Sequence, residues 1–431
     1  MVTTFKMFFH SLIAPKDIIL EMQNFTRNSK SIWFISALVS TPSSFQVPRN
    51  FCLMRGLSDI GYNVTIITSD SNHLAKPPIF QSASHNEEIE GLKVVWLRTL
   101  KYIKTNSIRR ILSWIDFEWQ FVKFNKKELP SPDVIICSSL SLLTILNGLL
   151  LKKKFQCKLI FEVRDIWPLT LVEEGGYSRF HPLILLLAMI EWLGYRYADE
   201  VVGTMPNLQE HVSDVLGYER VVHCIPMGYD RFHLENITPL CADYIDRYIP
   251  ADKLIVTHLG SVGLTNSLDA FFECAESMAS NPLVHFLIVG DGDLRDKYMK
   301  QFGSLENISF GPKVEKEMVQ SILAKSDITY LAVPRSKVWK YGQSLNKIID
   351  YMLSANPIIA SYEGFPSMID EANCGVIVPP NDPVAIRHAI EEYARIGSVE
   401  RQKIGSRGRH WIIDNRSYEK LALVYEKLLF Q

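Results

Sequence analysis

The sequence predicts an α/β protein made of two doubly wound, Rossmann-like domains that face each other across a cleft. Short apolar runs rich in β-branched residues alternate with amphipathic helical segments, a pattern typical of parallel sheets with helices on both faces. The alternation pauses near residue 228 and restarts near residue 253, which indicates two sheets joined by a linker. The length of 431 residues also exceeds what one hydrophobic core normally supports.

The first domain is predicted over residues 31–228, after a leader of residues 1–30. Six runs in this domain have strand character: SIWFISALV, NVTIITS, LKVVWLR, DVIICSS, KLIFEV and EVVGT. Between the first two runs, residues 50–61 carry apolar side chains at helical spacing and end at Gly61. We expect this segment to be the first crossover helix.

The second domain is predicted over residues 253–398, after a linker of residues 229–252 that mixes prolines, aromatics and charges without periodicity. Its strand-like runs are KLIVTHLGS, VHFLIVG, ISF, DITYLAV, NPIIAS and CGVIVP. Residues 399–431 have the pattern of charged amphipathic helices, and we expect them to pack back on the first domain.

The composition excludes several classes of protein. Hydrophobic residues at 47% and charged residues at 22% are typical of a folded, water-facing protein and exclude a disordered or multispanning chain. With 46 basic and 47 acidic residues, no net charge draws the protein to nucleic acid. The seven scattered cysteines and 11 histidines form no metal-ligand motif, so we expect no essential metal.

Parallel sheets bind ligands at the carboxyl ends of their strands, so the loops there are the first candidates for a site. In the second domain one such loop runs from Gly260 to Gly263, and another is Gly290-Asp291-Gly292. Glycines at these turns allow the backbone to approach a ligand closely. Ordinary strand-to-helix turns explain the same residues about equally well.

The segment YGQSLNKIIDYM of the second domain gives a stronger indication of a phosphate site. Gly342 and Ser344 precede a helix, so free backbone amides lie beside Lys347 at its positive end. Asp350, about one turn further on, could accept hydrogen bonds from ribose hydroxyls. The alternative is a surface helix in which Lys347 and Asp350 only pair with each other, which is worth about 0.2–0.5 kcal/mol.

In the first domain, charged residues follow the apolar strand KLIF directly. Arg164 and Asp165 in FEVRDIWP must therefore leave the core at the sheet edge where ligand loops lie. The alternative is that they form a structural pair that holds the interdomain loop. Ser43, Ser44 and Arg49 lie in the first strand-to-helix loop, where the two serines would also suit helix capping.

The run YGQSLNKIIDYMLSANPIIAS resembles the donor-site signature of family 4 retaining glycosyltransferases of GT-B architecture, in particular bacterial enzymes of O-antigen and capsule synthesis. Other matching segments follow in family order and span most residues between 31 and 380: TPSS through Arg49, FEVRDIWP, GSVG, FLIVGDGD, ISFGPK and SDITYLAVP. The resemblance implies a sugar transferase that uses a nucleoside diphosphate sugar, expected to be a UDP-sugar, with retention and no further cofactor.

The resemblance also implies roles for particular residues. Donor contacts would come from Gly260, Gly263, Gly290, Lys313, Arg335, Gly342, Ser344, Asn346, Lys347 and Asp350. The base would lie near Lys313, the ribose near Asp350 and the diphosphate near residues 342–347. Arg164, Asp165 and Lys347 would lie at the reaction centre, and Ser43, Ser44 and Arg49 would contact the acceptor.

Two positions depart from the family pattern. The family's first Glu would stand eight residues before Asp350, where this sequence has Gly342. The loop after GSVG carries Thr265 and Asn266 where the family often has a basic residue, and Arg335, Lys337 and Lys347 are the available replacements.

Basic groups near aromatic and apolar segments predict contact with an anionic membrane. These groups are Arg109-Arg110, Lys123 with Lys126-Lys127, and Lys152-Lys153-Lys154, and the apolar segment is residues 181–197. Solvated helix ends are the alternative. We expect a cytoplasmic protein, peripheral on the inner face of the cytoplasmic membrane, whose acceptor is a lipid-linked saccharide. Rival interpretations are a nucleotide-sugar epimerase or hydrolase, and a binding scaffold without turnover.

Overall fold

The structure is a computed structural model that describes residues 30–42, 48–72, 74–102, 108–139 and 141–430. The leader up to residue 29 lies outside the described residues, as do Ser43 and Ser44.

The first domain contains an eight-stranded sheet of order β3-β4-β2-β1-β5-β6-β7-β8. Its strands are β1 Ser31–Ile35, β2 Asn63–Ser69, β3 Ser84–Ile89, β4 Leu92–Leu97, β5 Val134–Ser138, β6 Lys158–Val163, β7 Glu200–Gly203 and β8 His223–Cys224. All pairs are parallel except β3 with β4. The six predicted runs are all strands, and they are buried on both faces as their continuous apolar pattern requires.

Helices cover both faces of this sheet. The helices before the linker are α1 Arg49–Asp59, α2 Ile108–Lys123, α3 Thr144–Phe155, α4 Leu169–Glu173, α5 Pro182–Tyr197 and α6 Leu208–Leu216. Side chains of α2, α3, α5 and α6 form one hydrophobic core with the sheet, and α1 contributes to the core on the other face. The parallel crossovers place the amino ends of α2, α3 and α5 near the carboxyl ends of the strands.

The second domain contains a six-stranded parallel sheet of order β11-β10-β9-β12-β13-β14. Its strands are β9 Leu254–Leu259, β10 Val284–Val289, β11 Ile308–Gly311, β12 Ile328–Ala332, β13 Ile358–Ser361 and β14 Gly375–Val378. The linker holds α7 Phe232–Glu235 and α8 Ala242–Tyr248. Within the domain lie α9 Asp269–Ser277, α10 Arg295–Phe302, α11 Val319–Leu323, α12 Asn346–Leu353 and α13 Met368–Glu371. The two doubly wound domains predicted from the sequence are confirmed.

The chain returns to the first domain later than the sequence predicts. Helix α14, Pro383–Asn415, kinks at Gly397 and stays on the second domain, where Arg401 donates to Asp327 at 2.9 Å. Gly405 lies so close to Ala355 that an added Cβ would be 1.9 Å from the Ala355 carbonyl oxygen. The expectation that residues 399–415 pack on the first domain is therefore wrong. Helix α15, Tyr418–Leu429, is the helix after residue 399 that packs on the first domain in the described part of the chain, where it contacts α1.

One segment of the second domain is embedded in the first. The 3₁₀ helix Lys337–Tyr341 places Val338 and Tyr341 in the first domain's core, with the Tyr341 ring 5.1 Å from the His211 ring. The Asn207 amide donates to the Tyr341 carbonyl at 3.0 Å. This contact fixes the position of the segment that precedes helix α12.

Candidate active site

A cavity of about 240 Å³ lies between the domains, at the carboxyl ends of β12 and β9. Most of its lining belongs to the second domain, and one residue, Glu174, comes from the first. The lining residues are Glu174, Thr265, Asn266, Leu331, Ala332, Val333, Pro334, Trp339, Leu345, Asn346 and Lys347. This is where ligands of doubly wound sheets bind, so the cavity is the candidate site.

Lys347 is the cation of this cavity. It lies in the first turn of α12, and its ammonium donates a hydrogen bond to the Asn266 amide oxygen. Burial lowers its pKa to about 7. Among the residues that the structure describes, no carboxylate oxygen lies within 4 Å of its Nζ. The site thus holds a poorly solvated amine that gains a charge partner when an anion binds.

The neighbouring His258 remains neutral beside Lys347. Burial, with a smaller contribution from Lys347, lowers the pKa of His258 to about 3. Its two ring nitrogens lie 3.3 Å from the carbonyl oxygens of Tyr330 and Ser261. The imidazole therefore supports the loop after β9 and adds no competing positive charge.

The two glycine loops pack against each other at the edge of the cavity. Gly260 (φ 138°) lies under the Lys347 side chain, since an added Cβ would be 3.0 Å from Lys347 Cε. At Gly290 (φ 147°) an added Cβ would be 1.8 Å from the Gly260 carbonyl oxygen. Gly263 is extended and lacks such a constraint. Two of the three predicted loop glycines are thus required by loop packing, and contact of any of the three with a ligand stays a prediction.

The residues just before α12 contact the first domain. Gly342 (φ 104°) packs against Pro206, and an added Cβ would be 2.4 Å from Pro206 Cδ. The Ser344 hydroxyl accepts a hydrogen bond of 3.1 Å from the Met227 amide. Asn346, by contrast, lines the cavity. The structure thus gives Gly342 and Ser344 interdomain contacts, and a side chain at position 342 would meet Pro206.

Gln343 was not singled out from the sequence. Its side chain is 5% exposed, and neither amide atom has a hydrogen-bond partner within the part of the chain that the structure describes. No motif or periodic pattern in the sequence indicates its burial.

Asp350 pairs with Lys316 and not with Lys347. The Lys316 ammonium lies 2.5 Å from Asp350 Oδ1, and both side chains are largely buried. The alternative that Lys347 and Asp350 only pair with each other on a surface helix is therefore wrong. Asp350 is held by a residue from the loop region after β11, the region in which the resemblance places the base.

Lys313 and Arg335 lie further out. Lys313 is exposed in the loop after β11. Arg335 lies 3.7 Å from Glu363, with both side chains about 70% exposed, and it lines a wider opening beside the cavity together with Lys337 and Lys340. The structure does not bring Arg335 or Lys337 into the cavity that Lys347 lines. Contact of either residue with a donor phosphate stays a prediction.

Arg49 is part of the first domain's core. Its guanidinium lies 2.9 Å from Glu162, and the two side chains are 1% and 0% exposed. It also donates to the carbonyl oxygens of Ile225 and Pro226 at 2.5 and 3.3 Å. These bonds tie α1 to β6 and to the chain leading into the linker. The structure therefore corrects the expected acceptor contact of Arg49 to a structural role.

Arg164 and Asp165 lie at the carboxyl end of β6, as predicted. The Arg164 guanidinium donates to Asn50 Oδ1 at 3.3 Å, and burial together with Arg49 lowers its pKa. Asp165 is exposed at its surface, but the protein packed around it desolvates its carboxylate and so raises its pKa. The positive charges of Arg164 and Arg110 oppose that increase. No ion pair within 4 Å joins Arg164 to Asp165, so the structural pair considered from the sequence is not formed.

Glu174 lines the cavity but is not among the residues predicted from the sequence. It lies at the carboxyl end of α4, nine residues after Asp165, and it lines the cavity together with Lys347. Partial burial raises its pKa, a hydrogen bond to Ser336 opposes this, and the charge of Asp165 adds to it. The pair Glu173-Glu174 before two glycines was the available signal. The first domain thus presents two carboxylates near the candidate site.

Within the described ranges, no group of three or more His, Cys, Asp or Glu side chains could hold a metal ion. Over the same residues, no helix combines the length and the apolar character needed to span a bilayer.

Comparisons with known proteins agree with this architecture. Residues 253–395 match the family described as glycosyl transferases group 1. The probable glycosyltransferase WbjE of Pseudomonas aeruginosa is 23% identical over 311 residues, which is 69% of this chain and 75% of that protein. The lipopolysaccharide core biosynthesis glycosyltransferase LpsE of Rhizobium meliloti is 23% identical over 247 residues, 54% of this chain and 65% of that one.

A solved structure shows the same fold along nearly the whole chain. HepE of Anabaena, in complex with UDP and glucose, superposes with a TM-score of 0.61 at 13% identity and covers 93% of this chain and 99% of its own. At that identity the likeness concerns the fold. Together with the family match and the curated relatives, the two facing Rossmann-like domains identify the chain as a glycosyltransferase of GT-B fold.

Proposed function

We propose that the protein transfers a sugar from a UDP-sugar to a hydroxyl of a lipid-linked saccharide in lipopolysaccharide or related surface polysaccharide synthesis, with retention of anomeric configuration. The observation that carries the proposal is the interdomain cavity in which Lys347 and Asn346 begin helix α12. A helix N-terminus with a buried amine suits a diphosphate.

The chemistry required of the site is charge stabilisation. When the bond between the sugar's anomeric carbon and the diphosphate oxygen breaks, its electron pair stays on that oxygen. The Lys347 ammonium and the first amides of α12 stabilise this growing negative charge most strongly in the transition state. The acceptor oxygen then forms the new bond to the anomeric carbon, and its proton leaves to a base.

Glu174 and Asp165 are the carboxylates available on the acceptor side. Both belong to the first domain, and surrounding protein raises the pKa of each. A carboxylate with a raised pKa is a better proton acceptor near neutral pH than an ordinary one. In this proposal Glu174, which lines the cavity, takes the acceptor proton. Retention rests on the sequence resemblance to retaining enzymes.

The donor and pathway parts of the proposal rest on relatives. HepE was solved with UDP and glucose, which supports UDP as the nucleotide. LpsE acts in lipopolysaccharide core biosynthesis, which supports a saccharide acceptor of that class. A lipid-linked acceptor and a place on the inner face of the cytoplasmic membrane follow as proposals from the same relationship.

A ligand panel monitored by thermal stabilisation tests the donor site. UDP should raise the melting temperature more than GDP, CDP or UMP. A ligand that binds the folded state stabilises it, and at equal concentration the tightest ligand gives the largest rise. Lys347→Met should lose the rise in melting temperature that UDP produces. Lys325→Met, which replaces an exposed lysine of the same domain, should keep it. No response to any nucleotide would overturn the proposed function, and a response to GDP alone would overturn the choice of UDP.

A further inference from the structure

Helices α2, α3 and α5 pack side by side on one face of the first sheet, and each of them exposes several apolar side chains. We call the exposed apolar and basic side chains of these three helices the outer helix face. On α2 it comprises Ile111, Leu112, Ile115, Trp119 and Val122; on α3, Leu146 and Leu150; and on α5, Leu185, Leu186, Met189 and Trp192. Each of these side chains is between 37% and 68% exposed. A soluble surface rarely carries so many apolar side chains together without a partner.

The charges on these helices have one sign at the surface. Every exposed charged side chain on α2, α3 and α5 is basic: Arg109, Lys123, Lys153, Lys154 and Arg196. Helix α3 contains no acid, and Glu191 of α5 is 3% exposed and bound to His211 and Tyr195. The two acids of α2 are both engaged, Asp116 with Gln120 and the Leu100 amide, and Glu118 with Thr144 and Asn147.

We propose that the outer helix face binds an anionic lipid bilayer, with the three helix axes parallel to the membrane plane and their apolar side chains in the headgroup and upper acyl region. Apolar side chains over a basic rim are what such an interface requires. Only the purpose of this docking, delivery of a lipid-linked acceptor, rests on the proposed function.

The orientation follows from the sheet. The amino ends of α2, α3 and α5 lie toward the carboxyl ends of the strands, where the candidate site opens. Phe180 and Tyr177, which are 85% and 44% exposed, precede α5 at that same end. A bilayer on the outer helix face would therefore extend past the mouth of the cleft, so that a lipid-borne saccharide enters along the surface.

The structure also shows that some of the basic residues predicted to contact an anionic membrane are engaged within the protein. Lys152 pairs with Asp199 at 2.7 Å, and Lys126 donates to carbonyl oxygens at the end of α2. These two lysines are structural. Lys153, Lys154 and Arg196 remain exposed at the carboxyl ends of α3 and α5. The predicted triple cluster of residues 152–154 is thus reduced to two lysines that face solvent.

Sedimentation with vesicles of phosphatidylglycerol and phosphatidylcholine tests the proposal on the full chain. The wild type should bind vesicles with 40% phosphatidylglycerol at least tenfold more strongly than pure phosphatidylcholine, and high salt should weaken this binding. Replacing Lys153 and Lys154 by Ser should lower the partition coefficient roughly 25-fold, since each basic residue contributes about fivefold. Lys300→Ser with Lys325→Ser, exposed lysines of the second domain, should leave it unchanged.

The apolar part has its own matched pair of variants. Leu185→Ser with Met189→Ser should weaken vesicle binding about tenfold. Leu423→Ser with Val424→Ser removes two apolar side chains of similar exposure from α15, on the opposite face of the sheet, and should have no effect. Equal effects of the two pairs, or no vesicle binding by the wild type, would overturn the proposal. So would a dimer that Leu185→Ser with Met189→Ser dissociates, because the face would then be closed by a second copy.

Loss of UDP binding in the panel above would refute the proposed function and leave the vesicle result standing. Absence of vesicle binding in a protein that binds UDP would refute only the membrane proposal.

Discussion

Replacement of Lys347 by Met removes the cation of the candidate site while keeping a side chain of similar length. Charge-assisted hydrogen bonds contribute about 1.5–3 kcal/mol, so UDP affinity at pH 6.5 should fall about 10- to 150-fold. The variant should fold, since Lys347 forms its hydrogen bond to Asn266 at the wall of a cavity. Lys325→Met serves as the control for loss of a lysine elsewhere in the domain.

The lowered pKa of Lys347 makes the prediction specific. In the free protein this pKa is about 7, so at pH 8 about nine-tenths of the molecules carry a neutral amine. Binding of a diphosphate favours the charged form, so UDP binding at pH 8 should take up close to one proton. Wild-type affinity should be nearly constant between pH 6.5 and 7 and fall up to about tenfold per pH unit above it. Lys347→Met should show neither effect.

Calorimetry in buffers of different ionisation enthalpy measures both the affinity and the proton uptake. The same pKa shift predicts a stability effect without ligand. Because the folded pKa of Lys347 lies below its unfolded value, the unfolded chain binds more protons between pH 7 and about 10. This contribution to stability therefore rises with pH over that window and is absent from Lys347→Met. Equal UDP affinity of wild type and variant, with no proton uptake in either, would show that Lys347 does not bind the diphosphate.

Three further substitutions separate structural roles from ligand contacts. Arg49→Met should cost about 3–5 kcal/mol in the free energy of unfolding measured with urea, because it leaves Glu162 buried without its partner. The double variant with Glu162→Leu should recover most of that loss, and an unchanged stability of the single variant would return Arg49 to the acceptor site. Asp350→Asn should weaken binding of UDP more than that of 2′-deoxy-UDP in calorimetry, and an equal loss for both would make Asp350 structural. Gly342→Ala should destabilise the protein more than Gly217→Ala in thermal unfolding, since both have positive φ but only Gly342 packs against the other domain; equal losses would contradict this.

The sequence predicted strands well where burial on both faces leaves a continuous apolar run. It missed β3, whose residues SHNEEI form a polar edge strand, because an edge strand needs no apolar pattern. It also placed the chain's return to the first domain too early. The amphipathic pattern of residues 399–415 indicates a helix but cannot say which domain its apolar side meets, which here is decided by contacts such as Arg401 with Asp327.

The residues of the candidate site were likewise predicted only in part. Lys347 and Asn346 line the cavity, as the local sequence predicts. They begin a helix after a glycine-containing loop, and this places them near the carboxyl ends of the strands. The structural role of Arg49 and the contact of Ser344 with Met227 could not be read from the sequence, because the partners Glu162 and Met227 lie more than 100 residues away. Glu174 was missed for a related reason, since only domain packing places it in the same cavity as Lys347.

The proposed function is transfer of the sugar of a UDP-sugar to a lipid-linked acceptor. The most direct measurement incubates the purified protein with UDP-sugars labelled in the sugar and with a lipid extract that contains polyprenyl-linked saccharides, and follows the label. Label should pass into the lipid fraction with the wild type, and little free sugar should appear without lipid. Lys347→Met should lose most of the transfer. Label released as free or epimerised sugar without any lipid, or UDP-sugar binding with no transfer to any acceptor in the extract, would contradict it.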